Sequence, residues 1–177
     1  MTKAGVTLVL GAMLGGCAGF DAHFAEYDKE YRLQPGDVLV LETELAFPKD
    51  HARVKMQGDG PVGGVDEYHP YCEMEVTVVS DGGFKLLPDR FAVWKFSEQI
   101  LPWNIVSVPM HVASGEPDSH SQITYISDIW LRSANQPEAL KMSCRHVVEP
   151  QDRRHVTVAE MREALQGVFR IERSADK

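Results

Sequence analysis

Apolar and polar residues alternate with a period of two through most of the chain, the pattern of strands with one buried face. After the turn pair Pro35-Gly36, Leu39, Leu41, Leu45 and Phe47 recur at even spacing with Glu42 and Glu44 between them, and the run predicts a strand that Lys49-Asp50 ends. Ala52, Val54 and Met56 alternate with Arg53, Lys55 and Gln57 and lead into the glycine-rich stretch from Gly58 to Gly64, so these two runs are candidates for a hairpin. Cys72, Met74, Val76 and Val78 alternate with Glu73, Glu75 and Thr77, and Asp81-Gly82-Gly83 supplies the positive-φ residues of a tight turn before a strand from Phe84. From Phe91 to Phe96 the pattern places Ala92, Trp94 and Phe96 on one face and Lys95 on the other. Ile105 to Val112 continues it, with Pro109 pushing that strand toward an edge or a bulge. Ser114 to Ser121 reads as a loop, and Ile123 to Leu131 and Leu140 to His146 as the last strands, the second with Leu140, Met142 and Cys144 on one face.

The period changes once near the C-terminus. From Thr157 to Gln166, Met161, Ala164, Leu165 and Val168 fall on one side of a helix, Thr157 and Glu160 form a Ser/Thr-x-x-Glu capping box, and Gly167 stands where a helix stops. Many short strands, one terminal helix and no alternating βαβ rhythm predict a mainly β fold, an antiparallel sandwich or small barrel with one C-terminal helix. The chain shows no internal repeat and no low-complexity tract.

Composition narrows the class of partner. The chain has 177 residues with a net charge of -8 and a pI near 5.3, which makes the phosphate backbone of nucleic acid a poor partner. Its 44% hydrophobic and 25% charged residues are those of an ordinary folded domain.

The first residues do not fit that domain. Met1 to Lys3 give a short positive start, Ala4 to Met13 an apolar run too short to cross a bilayer as a helix, and Leu14-Gly15-Gly16-Cys17 follows directly. The Leu-Gly-Gly-Cys sequence resembles the lipobox of bacterial lipoproteins. The resemblance implies a signal peptide at residues 1–16, cleavage before Cys17, and lipid, palmitate included, on Cys17 as the anchor to the bilayer. Cleavage leaves 177 − 16 = 161 residues and, with one Lys removed, a net charge of -8 − 1 = -9. Residues 17–32, which include Asp21, Glu26, Asp28, Lys29 and Glu30, then form a lipidated N-terminus and spacer, and residues 33–177 a single β-rich periplasmic domain. The position after Cys17 is Ala18 and not the Asp that holds lipoproteins at the inner membrane in enteric-type sorting, which implies the periplasmic face of the outer membrane.

With Cys17 lipidated, Cys72 and Cys144 remain. An even pair on apolar strand faces in an oxidising compartment suits a disulfide. The competing reading is a metal site of Cys72, Cys144, His69 and His146, against which stand the lack of CxxC or HxxxH and the offset of three between His69 and Cys72, which on a strand turns the two to opposite faces. The stretch Asp66-Glu67-Tyr68-His69-Pro70-Tyr71-Cys72-Glu73-Met74-Glu75, with the later Leu140-Lys141-Met142-Ser143-Cys144, resembles small uncharacterised proteobacterial lipoproteins, a group with no activity or site residue to carry over. That resemblance also implies the pairing of Cys72 with Cys144.

Other motifs carry less. Gly58-Asp59-Gly60-Pro61-Val62-Gly63 matches GxGxxG in form, but no helical stripe follows to receive a phosphate. Ser114-Gly115-Glu116-Pro117-Asp118-Ser119-His120 has the composition of an exposed loop and no GxSxG elbow, and Glu73 and Glu75 read as a solvated strand face. No residue earns a catalytic role, and no cofactor or metal is implied. The loop from Gly58 to Tyr71, with Tyr68, His69 and Tyr71, is a candidate surface for a partner, an envelope protein or cell-wall component, because Tyr covers much area at small entropic cost. The competing reading is that both tyrosines only cover core. The functional expectation is therefore a structural or partner-binding lipoprotein, with a periplasmic hydrolase or small-ligand-binding protein built from loop residues as the alternative.

Overall fold

The computed structural model describes residues 27, 29–102, 123–148 and 154–174. The strands are β1 (Val38–Leu41), β2 (Leu45–Phe47), β3 (Arg53–Met56), β4 (Pro61–Val62), β5 (Tyr71–Val76), β6 (Phe84–Leu86), β7 (Asp89–Pro102), β8 (Ile123–Arg132), β9 (Ala139–Val148) and β10 (Phe169–Glu172), with helix α1 (Val158–Ala164) before the last. Eight of them form one antiparallel sheet in the order β10-β1-β7-β8-β9-β5-β3-β4, and β2 and β6 pair separately. The fold is mainly β, an antiparallel half-barrel with one short helix near the C-terminus.

The curvature has a cause in the core. Helix α1 touches both β5 and β10, which stand five places apart in the sheet, so the sheet curls around the helix. Val158, Met161 and Ala164 of the helix, followed by Leu165 and Val168, share one apolar cluster with Leu39, Phe91, Ile129, Met74 and Met142 from the concave face. A sheet with one apolar face has to bury it against something, and here a short helix fills the hollow. The helix begins where the sequence places it: the Thr157 hydroxyl accepts the Glu160 amide, and the Glu160 carboxylate accepts the Thr157 amide, satisfying two N-terminal donors.

Four details differ from the sequence pattern. The run from Leu39 to Phe47 is two strands in two sheets, because Glu42-Thr43-Glu44 turns the chain from the large sheet into the small one. The expected hairpin with the next run does not form; β3 pairs with β4 and β5 instead. In β7 a bulge falls at Trp94 between Val93 and Lys95, so the buried residues are Phe91 and Val93, while Ala92 and Trp94 are exposed. An extra residue in a strand reverses its in-out parity, which is how Phe96 regains the core side. Finally, β10 closes against β1 after the helix, a strand the pattern did not announce. The expected strand at Ile105 to Val112 and the loop at Ser114 to Ser121 lie outside the described residues, as does Cys17.

Gly83 shows why the turn before β6 needs glycine. Its φ is +81°, and a Cβ there would stand 2.9 Å from the carbonyl oxygen of Phe47 on the paired strand.

Candidate functional site

Three groups of side chains bear on function, and each follows from strand register. The first is the cysteine pair. Cys72 on β5 lies directly opposite Cys144 on β9, the Cα atoms 4.0 Å apart, and the two are joined as a disulfide. Both residues are fully buried among Met74, Met142 and Met56 in the core. The sulfurs are therefore bonded to each other, and His69 lies on an exposed turn rather than beside them. Among the described residues, no group of three or more His, Cys, Asp or Glu is placed to hold a metal.

The second is the loop between β3 and β5. Its GxGxxG stretch contains β4, a two-residue strand that turns back on β3, and is not followed by a helix. Gln57 closes the loop at its base: its Nε2 donates to the carbonyls of Asp66 (2.8 Å) and His69 (3.1 Å), and its Oε1 accepts the Asp66 amide (2.9 Å). Asp66 in turn accepts the Tyr68 amide at 3.1 Å, an Asx turn that fixes the tip. On this clamped tip Tyr68 is 65% exposed and the His69 side chain 74% exposed. Tyr71 does not share that exposure. As the first residue of β5 it is 5% exposed, with the Lys55 ammonium 5.8 Å from its ring centre, so it is removed from the candidate contact surface. The two tyrosines thus divide between the two readings of the loop.

The third group was not visible in the sequence. At the end of the half-barrel where α1 begins, two imidazoles each face a glutamate that an arginine holds. Arg154 grips Glu160 through two hydrogen bonds of 2.7 Å, and Nδ1 of His146 on β9 lies 3.7 Å from the same carboxylate. Arg32 binds Glu98 of β7 at 2.6 and 2.8 Å, and Nδ1 of His155 lies 3.7 Å from Glu98. Tyr125 meets the His155 ring edge-on at 4.8 Å, and Tyr27 donates to Glu98 at 3.4 Å. Both histidine Nδ1 atoms are buried and make no hydrogen bond among the described residues, and the same holds for Ser127 Oγ in the neighbouring register row, opposite Glu98 and Cys144. Burial pushes both imidazoles below their ordinary pKa, against the pull of their glutamates. Burial would raise Glu160, but the Arg154 guanidinium and the Thr157 amide and hydroxyl outweigh it and hold the carboxyl at about 2.

Glu73 and Glu75, expected on a solvated face, lie on the convex side in an ion-pair ladder that covers them: Glu73 is buried and Glu75 half-buried. Arg53 pairs with Glu75 at 3.1 Å, Arg145 with Glu73 at 3.5 Å, and Lys141 with the buried Asp128 at 3.3 Å. Lys141 also lies 3.9 Å from Glu75, so three carboxylates and three cations are matched across the sheet, and Glu73 and Glu75 are not poised as an acid and a base.

No known protein family, curated protein or solved structure matches the chain. Among the described residues, no helix is long and apolar enough to cross a membrane.

Proposed function

We propose that the protein is a membrane-anchored lipoprotein of the bacterial envelope, its signal peptide at residues 1–16 and its lipid on Cys17. Its β domain stands in the periplasm, at the outer membrane, and binds another envelope protein or a cell-wall component. The observation that carries this reading is the buried Cys72–Cys144 disulfide, a bond of oxidising compartments, in a chain that also has Leu14-Gly15-Gly16-Cys17. Tyr68 and His69, presented on a loop tip that Gln57 and Asp66 hold in one shape, supply the contact surface. A rigid, exposed aromatic residue loses little entropy when a partner covers it.

Metabolic labelling with palmitate tests the anchor. The wild-type chain takes up label, and Cys17→Ser abolishes both labelling and lipoprotein-type processing; a variant still labelled overturns the assignment. Crosslinking in cells tests the surface. Tyr68→Ala removes the captured envelope component while leaving the melting temperature unchanged, and an intact crosslink pattern removes this loop from the reading.

One observation favours the second reading, a periplasmic hydrolase or small-ligand-binding protein: the Nδ1 atoms of His146 and His155, which make no hydrogen bond among the described residues, beside Glu160 and Glu98. Hydrolysis of simple esters by the wild-type protein, lost in a folded His155→Gln variant, would place the function at that end of the barrel.

A further inference from the structure

The bulge in β7 does more than return Phe96 to the core. Ile129 and Leu131 of β8 belong to the core, so Trp130 and Arg132 stand on the convex face. Trp94 lies against Arg132 and Lys95 against Trp130, which puts two residues adjacent in sequence on that same face. A regular strand would send them to opposite faces; the bulge re-aims one of them. The Arg132 guanidinium is 4.1 Å from the centre of the Trp94 ring, and the Lys95 ammonium is 4.3 Å from that of Trp130. Lys141 of β9 approaches the Trp130 ring at 5.7 Å from the other neighbouring strand. Trp94 is 40% exposed, and Lys95 and Arg132 are exposed beside it.

Charge sets this patch apart on a chain of net charge -8. Arg53, Arg145 and Lys141, the cations further across the convex face, are matched to Glu75, Glu73 and Asp128. Lys95 and Arg132 pair with indole rings and, among the described residues, with no carboxylate. Asp128, in the next row of the same face, is buried and already accepts from Ser143 and Gln99 beside Lys141. The patch thus offers donors and ring faces, and a ligand that meets it has to bring the acceptors. Carboxylates do so, whereas the hydroxyls of a neutral sugar find no carboxylate left to receive them. Spacing adds a direction. Lys95 stands level with Trp130 in the register, and Arg132 lies two residues further along β8, roughly 7 Å, the separation of alternate side chains on an extended peptide.

We infer that the convex face around Trp94 and Trp130 is a docking surface for an acidic, extended segment of a partner protein. Two carboxylates two residues apart on that segment reach Lys95 and Arg132, and the chain between them covers the indoles. Trp and Arg are the residues that most often carry the energy of protein contacts. Both cations already rest on rings, so they lose little freedom when the segment binds. The surface is separate from the Tyr68 loop and does not depend on the lipid on Cys17.

Fluorescence anisotropy with the full-length protein, purified in detergent, tests this. The probe is a labelled peptide of alternating Glu and Thr, compared with the same peptide in Gln and Thr. The expected result is saturable binding of the Glu peptide and binding at least about tenfold weaker of the Gln peptide. Lys95→Gln with Arg132→Gln weakens the Glu peptide by a similar factor, while Tyr68→Ala leaves it unchanged. No binding by the wild type, or equal binding of the two peptides, overturns the inference without reference to any variant. Undiminished binding by the folded double variant overturns it as well, and loss of binding in Tyr68→Ala alone gives the peptide to the loop instead. Polygalacturonate, an anionic glycan, displacing the Glu peptide at lower carboxylate concentration than unlabelled Glu peptide overturns a protein segment as the occupant.

Discussion

Two buried histidines make stability depend on pH in a defined direction. His146 faces Glu160, which pulls its pKa up, and Arg154 and His69, which push it down together with burial; His155 faces Glu98 and Arg32 in the same opposing roles. Burial wins in both, so the folded state holds the neutral rings more tightly than the charged ones. The stability contributed by neutral His146 and His155 is full above the unfolded pKa of about 6.5 and is lost as pH falls below it. Glu160 acts in a lower window: its contribution is present above 4.5 and fades as pH falls toward about 2. Urea midpoints measured from about pH 7.5 down to about pH 3 should therefore fall in two stages. His146→Gln should flatten part of the upper stage and leave the lower one; a midpoint unchanged between about pH 7.5 and pH 5 would contradict the account.

At the level of elements, the disulfide joins strands that already share a ladder, so its contribution lies in the unfolded chain. Closing a loop of 72 residues corresponds to about 4 kcal/mol in the chain-entropy treatment. Cys72→Ala with Cys144→Ala should lower the unfolding free energy by roughly that amount, and by less if the oxidised unfolded chain keeps structure. Denaturation of the oxidised wild type beside the double variant measures it. The cysteine pair was legible because its neighbours alternate cleanly, and the helix was legible because Thr157 and Glu160 mark its start. Two other features were hidden for physical reasons. The bulge at Trp94 reverses parity without any glycine or proline to announce it, and β10 is four residues with no turn pair after it. The His146 and His155 groups were hidden because their partners come from β7, from α1 and the segment before it, and from the chain near Arg32, positions that only the curl of the sheet brings together. Of the loop, the sequence could name Tyr68 and Tyr71 but not separate them, since exposure depends on where β5 begins.

For the whole molecule, the half-barrel is completed by its last strand. Phe169 of β10 is 4% exposed and meets Phe91 of β7 at 6.4 Å across β1, and beyond β10 Arg173 pairs with the buried Asp37 at 2.9 Å. Phe169→Ala should cost about 3–5 kcal/mol, the usual range for removing a buried ring, and should expose the β1 edge; urea denaturation gives the cost, and a loss under 1 kcal/mol would show that β10 is dispensable. This closure has a consequence in time. Leu41 pairs with Phe169, 169 − 41 = 128 residues later, and the helix that fills the hollow also comes after nearly every strand it supports. Contacts so distant along the chain form slowly, and none of them can form while the later segment is still being made. A nascent chain of this design stays without its interior for most of its synthesis, and an open chain is the form that a protein-conducting channel can thread. Under the export reading, the late arrival of α1 and β10 is a delay that keeps the protein translocatable until it has reached the compartment where Cys72 and Cys144 can oxidise.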